Sequence, residues 1–258
     1  MSTLYIVGTP IGNLEDISLR ALRVLGEVDF ILSEDTRVTA KLLKHYNIKT
    51  PAISYHQHSA EDKTEKIIDF LASGKNLALV SDAGMPGISD PGGKLIQRVI
   101  EKFGAANESP VQIESVPGPS AVTAALSISG LPTDKFIFMG WPPHKKGRQT
   151  FIRRVLASDY PAVIYESKHR LVRFLEELKK AAEENRQANK NGRIELKPTC
   201  SPACAGRRRR VDLTSVVVCR ELSKMHETVY RGEISKIIEK IKASPNDQKG
   251  EFVVIVGK

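Results

Sequence analysis

Short apolar runs alternate with stretches of helical periodicity through the first half of this chain, and that alternation restricts the fold more than any other feature. TLYIV (3–7), DFILS (29–33), ISYHQHS (53–59), NLALVSD (76–82) and VQIESV (111–116) read as strands. Between them lie DISLRALRVLGEV (16–28), EDTRVTAKLLKHY (34–46), AEDKTEKIIDFLASG (60–74) and GKLIQRVIEKFG (93–104), each amphipathic at helical spacing. In the first of these, Ile17, Ala21, Leu22 and Leu25 share a face and Asp16 is a candidate cap. Gly74 closes the third. Strands separated by helices form crossover units, so the expected architecture is α/β with a largely parallel sheet, and ligands meet such sheets at the strands' carboxyl ends.

Three loops rich in Gly and Pro stand at those ends: GTPIGN (8–13), SDAGMPGISDPGG (81–93) and VPGPSA (116–121). Gly lets a backbone approach a ligand, and Pro stiffens the loop so that less entropy is lost on binding. Three in comparable places suggest one crevice. None matches G-x-x-x-x-G-K-[ST] or G-x-G-x-x-G, so a phosphate cradle has no support. Asp82, at a strand end, repels phosphate and suits a hydroxyl or cationic ligand. Ser89 or Asp90 can cap the next helix, with Pro91 at its first position.

The second half changes character. KFIFMGW (135–141), YPAVIYES (160–167), DLTSVVVCREL (212–222) and GEFVVIVGK (250–258) read as strands, with helices over 148–158, 168–185 and 232–244. A boundary near Val116–Pro119 divides the chain into domains 1–116 and 117–258. No apolar run approaches the roughly 18 residues a membrane helix needs, so a soluble cytoplasmic protein is expected. The net charge is +9, but residues 1–130 hold 12 Lys and Arg against 15 Asp and Glu, while 186–210 alone hold 8 against 1. The basic signal is local, and overall charge is weak evidence for a polyanionic partner. That segment, polar and without periodicity, reads as a loop or insert.

The order and spacing of LYIVGTPIGNLEDISLRAL, SEDTRVTAKLL, SYHQHS, LVSDAGMPGISDPG, VPGPSAVTAALSISGLP, YES-HRL and REL-K-HE resemble one group of the tetrapyrrole methylase superfamily. That group is the bacterial small-subunit ribosomal RNA 2′-O-ribose methyltransferases of type I. The resemblance covers roughly residues 3–185 and 211–256. It implies two α/β domains of the class III methyltransferase type, with S-adenosylmethionine (SAM) in a cleft between them. It further implies methylation of the ribose 2′-hydroxyl of a cytidine in the decoding region of 16S rRNA, in the small ribosomal subunit, by a homodimer without a metal. The cofactor positions it implies are Pro10, Ile11 and Gly12, Asp82, Gly84 and Met85, Ser120 and Ala121, with Tyr165 and Arg220 from the second domain. Met85 stands where a Thr is expected, which removes a hydroxyl and leaves a backbone contact. Two other functions compete: methylation of a corrin or porphyrin precursor, which VGTPIGNLEDIS argues against, and a non-catalytic RNA-binding assembly factor, which the three intact loops argue against.

Methyl transfer needs the acceptor oxygen held in line and a proton acceptor. Candidates are Glu34, Asp35, His56 and His58, of which Glu34 is slightly favoured; Asp35 can also be a helix cap paired with Arg37. For RNA, Trp141 could stack on a base while Lys145, Lys146 and Arg148 meet phosphates. Arg207, Arg208, Arg209 and Arg210 offer a second phosphate contact. Cys200 and Cys204 lack a second pair for zinc, although Cys219 and His226 follow.

Overall fold

The computed structural model describes residues 1–56, 61–90, 92–104, 109–190 and 215–257, and the chain divides into two units, Met1–Ala121 and Val122–Lys258. In the first unit β1 (Ser2–Val7), β2 (Phe30–Ser33), β3 (Ala52–Ser54), β4 (Leu77–Val80) and β5 (Val111–Val116) form one sheet in the order β3-β2-β4-β1-β5. Every pairing in it is parallel. The connecting helices are α1 (Leu19–Glu27), α2 (Thr36–His45), α3 (Glu61–Ala72) and α4 (Gly92–Phe103).

Side chains alternate across a strand, and β1 shows the consequence. Leu4 and Ile6 pack with Ile67, Ile68 and Leu71 of α3 and Leu95 and Val99 of α4. Val7 packs with Ala21, Val24 and Leu25 of α1 and Leu42 and Leu43 of α2. The sheet is therefore covered on both faces. Neighbouring strands β1 and β4 send their chains to opposite faces, through α1 and α4. Loops that part in this way leave a crevice at the strand ends, the topological switch point of an open α/β sheet.

In the second unit α5 (Ala121–Ser129) starts at the junction. It is followed by β6 (Ile137–Gly140), α6 (Arg148–Ala157), β7 (Ala162–Ser167), α7 (Leu171–Lys190), β8 (Val216–Arg220), β9 (Thr228–Gly232), α8 (Ile234–Ala243) and β10 (Glu251–Val256). The sheet order is β6-β7-β10-β8-β9, with only β6–β7 parallel. Its largest core joins Ile152 of α6, Phe174 and Leu178 of α7, and Ile237 and Ile241 of α8 to Ile164, Val218 and Val254 of the strands.

Several details correct the sequence reading. Asp16 belongs to a 3-10 turn, Leu14–Asp16, and Ser18 caps α1 by accepting the Ala21 N–H at 3.1 Å. Residues 186–190 continue α7, so the first five positions of the expected insert are helical. β9 was not anticipated, because TVYRG is short and sits beside a charged turn. His58, Pro91, Cys200, Cys204 and Arg207–Arg210 lie outside the described residues. Among the described residues no helix is long and apolar enough to cross a membrane.

The two faces of α1 differ sharply, since Leu25 is fully buried and Leu19 is 85% exposed. Leu25→Ala is expected to cost about 2–5 kcal/mol, because it leaves a cavity, and Leu19→Ala less than about 0.5 kcal/mol. Urea unfolding of the two variants measures the contrast.

Candidate active site

The three Gly/Pro loops meet at the carboxyl ends of β4, β1 and β5. Gly8 donates its N–H to the Val116 carbonyl at 3.0 Å, extending the β1–β5 ladder. Thr9 and Gly84 exchange both backbone hydrogen bonds, at 3.0 and 3.1 Å, and join the first loop to the second. The Thr9 hydroxyl, buried, donates to the Ser81 carbonyl at 3.1 Å. A Cβ at Gly8 would lie 2.7 Å from the Gly118 Cα and 2.6 Å from the Met85 sulfur, and one at Gly118 would lie 2.8 Å from the Gly8 backbone. Only glycine fits either place. Gly84 also has φ +82°, a left-handed conformation that a side chain would strain, with Ile11 and the Pro119 carbonyl beside it.

These contacts gather much of the expected cofactor set in one place. Gly84 is buried, Pro10, Ile11, Met85, Ser120 and Ala121 are half-buried, and Gly12 and Asp82 are exposed. Tyr165 belongs to the second unit, where its ring lies between Phe138 and Trp141, and burial pushes its phenol up from the ordinary value despite a hydrogen bond with the Val122 backbone. Arg220 is a correction. It is only 7% exposed, and its guanidinium donates to the carbonyls of Lys249 at 2.8 Å, His226 at 3.1 Å and Asn246 at 2.7 Å. Three of its five N–H groups hold those carbonyls and the side chain is buried, so it clamps loops and does not face outward toward a ligand.

The carboxylates around the second loop divide their work. Asp90 accepts the N–H groups of Gly87 at 2.6 Å and Gly92 at 2.7 Å, tying the loop to the start of α4. Ser89 beside it carries φ +62°, which a non-glycine residue adopts at a cost of about 1–3 kcal/mol. Asp82 accepts the Asp35 N–H through Oδ1 at 3.0 Å. Asp35 caps α2 and pairs with Arg37 at 2.6 Å, and hydrogen bonds from Arg37 hold its carboxyl down at about 2. A carboxylate held that low is a poor base. Glu34 differs: burial, then the charge of Asp82, then that of Asp90, raise its pKa above the ordinary 4.5. It lines a cavity of about 10 Å³ with Tyr55, Ser81, Pro86, Asp90 and Gly92, room for one water-sized body.

These residues fit a ligand like S-adenosylmethionine. Three carboxylates, Glu34, Asp82 and Asp90, favour a cation, and the glycines let the three loops close up beside them. When bound, that cofactor supplies a methyl group activated by a sulfonium. Pro10, Ile11, Gly84, Met85 and Ser120 would flank it and Asp82 would face it.

The expected RNA residues lie in the second unit. Trp141 is 48% exposed, and Lys145 and Lys146 are exposed on the same loop. Arg148 is again a correction. It is 4% exposed and ion-paired inward with Glu177 at 2.5 Å and Glu166 at 3.7 Å, so it cannot meet a phosphate. Sequence reasoning gave no role to its partner Glu166, although a carboxylate inside the apolar strand AVIYES was a signal that a buried cation must lie nearby. Cys219 is buried, and that burial raises its thiol to about 11.

Comparison with known proteins gives the family of the chain. A family profile described as Tetrapyrrole (Corrin/Porphyrin) Methylases matches residues 3–238. A ribosomal RNA small subunit methyltransferase I of Streptococcus pyogenes serotype M1 is 41% identical over 255 residues, covering 98% of this chain and 76% of the relative. Its counterpart in Hydrogenobaculum sp. is 38% identical over 257 residues, 99% of this chain and 95% of the relative. The crystal structure of uroporphyrin-III-C-methyltransferase from Thermus thermophilus superimposes with a TM-score of 0.58 at 19% identity, covering 98% and 93% of the two chains. That identity speaks for the fold alone.

Because the folded state disfavours the charged form of Glu34, its ionisation is a penalty that grows as pH rises from the ordinary 4.5 to the raised value and persists above it. Glu34→Gln removes the penalty. Its melting temperature should exceed that of the parent at pH 7–8, and the difference should disappear at pH 4, in thermal scans at both pH values. The chain belongs to the tetrapyrrole (corrin/porphyrin) methylase family, among the relatives named ribosomal RNA small subunit methyltransferase I.

Proposed function

We propose that this protein transfers a methyl group from S-adenosylmethionine to the 2′-hydroxyl of a cytidine ribose in the decoding region of 16S rRNA, within the small ribosomal subunit. The observation that carries the reading is the convergence of the three Gly/Pro loops on Gly8, Gly84 and Gly118 beside the Glu34–Asp82–Asp90 carboxylates. Identity of 37–41% over almost the whole chain with relatives named ribosomal RNA small subunit methyltransferase I supports RNA over a corrin or porphyrin.

The residues have distinct tasks. Asp82 orients the cofactor by accepting hydrogen bonds from it. Gly84 and Pro10 hold the loop walls in place. Glu34 accepts the hydroxyl proton as the ribose oxygen becomes bonded to carbon, and its raised pKa makes it a stronger base than an ordinary carboxylate. Trp141, Lys145 and Lys146 bind the RNA through a base face and phosphates. The protein works as a homodimer in the cytoplasm, and sedimentation equilibrium reads its mass directly.

Purified protein, labelled S-adenosylmethionine and small subunits from a strain lacking the modification should give labelled 16S rRNA, and mass mapping should place the label on a ribose. Transfer to no nucleotide would overturn the reading, and a label on a base would overturn the 2′-O assignment. In the same assay Glu34→Gln should lose about 100-fold or more in turnover.

Asp82→Ala should weaken S-adenosylmethionine binding more than about threefold, or about 0.7 kcal/mol, by calorimetry. A smaller change would remove Asp82 from the site.

A further inference from the structure

Strand β7 carries two neighbouring residues with opposite tasks. Glu166 faces inward and is fully buried, while Tyr165 faces the other way. On the inner side the Glu166 Oε1 accepts the Ser167 N–H at 2.8 Å and lies 2.9 Å from Arg170 Nε. Arg148 Nη1 is 3.7 Å from its Oε2. Both guanidiniums continue past the carboxylate to one target: Arg148 Nη1 donates to the Pro143 carbonyl and Arg170 Nη1 to the Pro142 carbonyl, each at 3.3 Å. Glu177 anchors Arg148 from behind at 2.5 Å, and Phe174 lies under its guanidinium at 5.6 Å. Burial alone would raise the Glu177 carboxyl, but Arg148 and Arg173 outweigh it and hold the group below the ordinary range.

Two successive prolines have fixed φ, so holding both of their carbonyls fixes the direction of the chain on either side. On one side is Trp141, whose ring is 5.5 Å from that of Tyr165 and tilted by 59°. On the other side are Lys145 and Lys146, both exposed. A half-exposed tryptophan seated on a tyrosine, with two lysines on the same loop, has the chemistry of a surface for unpaired nucleotides: a face for a base and cations for its phosphates. A large aromatic ring that only filled the core would be covered instead.

We propose that Glu166, Arg148 and Arg170 are positioning residues: a buried clamp that holds the Pro142–Pro143 corner so that Trp141, Lys145 and Lys146 form a preformed platform for single-stranded RNA. The proposal rests on the rRNA reading given above and adds how that substrate is held. The clamp touches no substrate. It acts by sparing the loop the entropy of ordering when RNA binds.

Trp141 is the chain's single tryptophan, so its fluorescence reports on this loop alone. Titration of the full-length protein with a single-stranded oligoribonucleotide should quench it. Arg170→Lys keeps a positive charge beside Glu166 but removes the fork that reaches Pro142. It should make Trp141 more accessible to acrylamide and raise KM for small subunits about tenfold, with kcat and S-adenosylmethionine affinity within about twofold. In a Trp141→Ala background the same substitution should change KM by less than about twofold, because the platform is already lost. Independent, multiplying effects would overturn the clamp, as would unchanged acrylamide quenching in a folded Arg170→Lys protein. Methylation of subunits without any quenching of Trp141 by RNA would overturn the platform and leave the proposed function standing. Quenching by RNA without methylation would do the reverse.

Discussion

The first unit depends on one close approach, between the backbones at Gly8 and Gly118. A Cβ on either would come within 2.8 Å of the other's main chain. The parallel β1–β5 pairing brings the ends of the two strands together, and without glycine the loops that follow would have to splay apart. Because they do not, Thr9 can reach across to Gly84, and the loop after β4 is drawn in as well. The topological switch between β1 and β4 opens the sheet end, and the glycines decide how near a ligand can come to it. The Met85 sulfur packs over Gly8 at the same point, so a residue that departs from the expected Thr takes part in the contact.

Within that frame, four acidic side chains have different fates because their surroundings differ. Asp35 has a guanidinium and a helix N-terminus to satisfy it and stays ionised to low pH. Asp90 spends one oxygen on two backbone N–H groups. Asp82 holds the Asp35 backbone and remains exposed. Glu34 receives only the costs: partial burial and two neighbouring negative charges. The contrast makes Glu34 the carboxylate whose proton affinity is raised, and proton affinity is what a base in methyl transfer requires.

The βα order of the first unit was legible in the sequence because both periods are local: two for strands, 3.6 for helices. Ala21 and Leu25 face inward as their spacing says, with Leu22 half-buried beside them, whereas Ile17 is buried but lies ahead of the helix. The convergence of three loops was legible too, since Gly and Pro mark backbone geometry directly. What could not be read was the direction of an arginine. Arg148 sits in a polar, accessible-looking stretch and Arg220 at the end of the apolar strand VVVCR, and arginine is mostly a surface residue. Their burial is decided by groups distant in sequence, Glu177 for Arg148 and the carbonyls of Asn246 and Lys249 for Arg220. No local pattern encodes those partners. The Asp16 cap failed for a smaller reason: Asp16 and Ser18 both suit a helix start, and a 3-10 turn before α1 gives the place to Ser18, while the Asp35 cap of α2 holds.

The buried arginines also change what the net charge of +9 means. Charge counted from composition treats every cation as available to a polyanion. In the second unit Arg148 and Arg220 are withdrawn from solvent, and Arg170 is largely so. Their positive charge is answered by Glu166, Glu177 and Asp247, and it cannot contribute to counterion release on RNA. What they contribute is shape. Taking a charge out of water is costly, and truncating one partner of a buried pair is costlier still, so the geometry around such a pair is held firmly. On the proposed reading, a chain that binds unpaired RNA through a few exposed groups needs those groups held in place more than it needs further charge, and inward-facing arginines would meet that need.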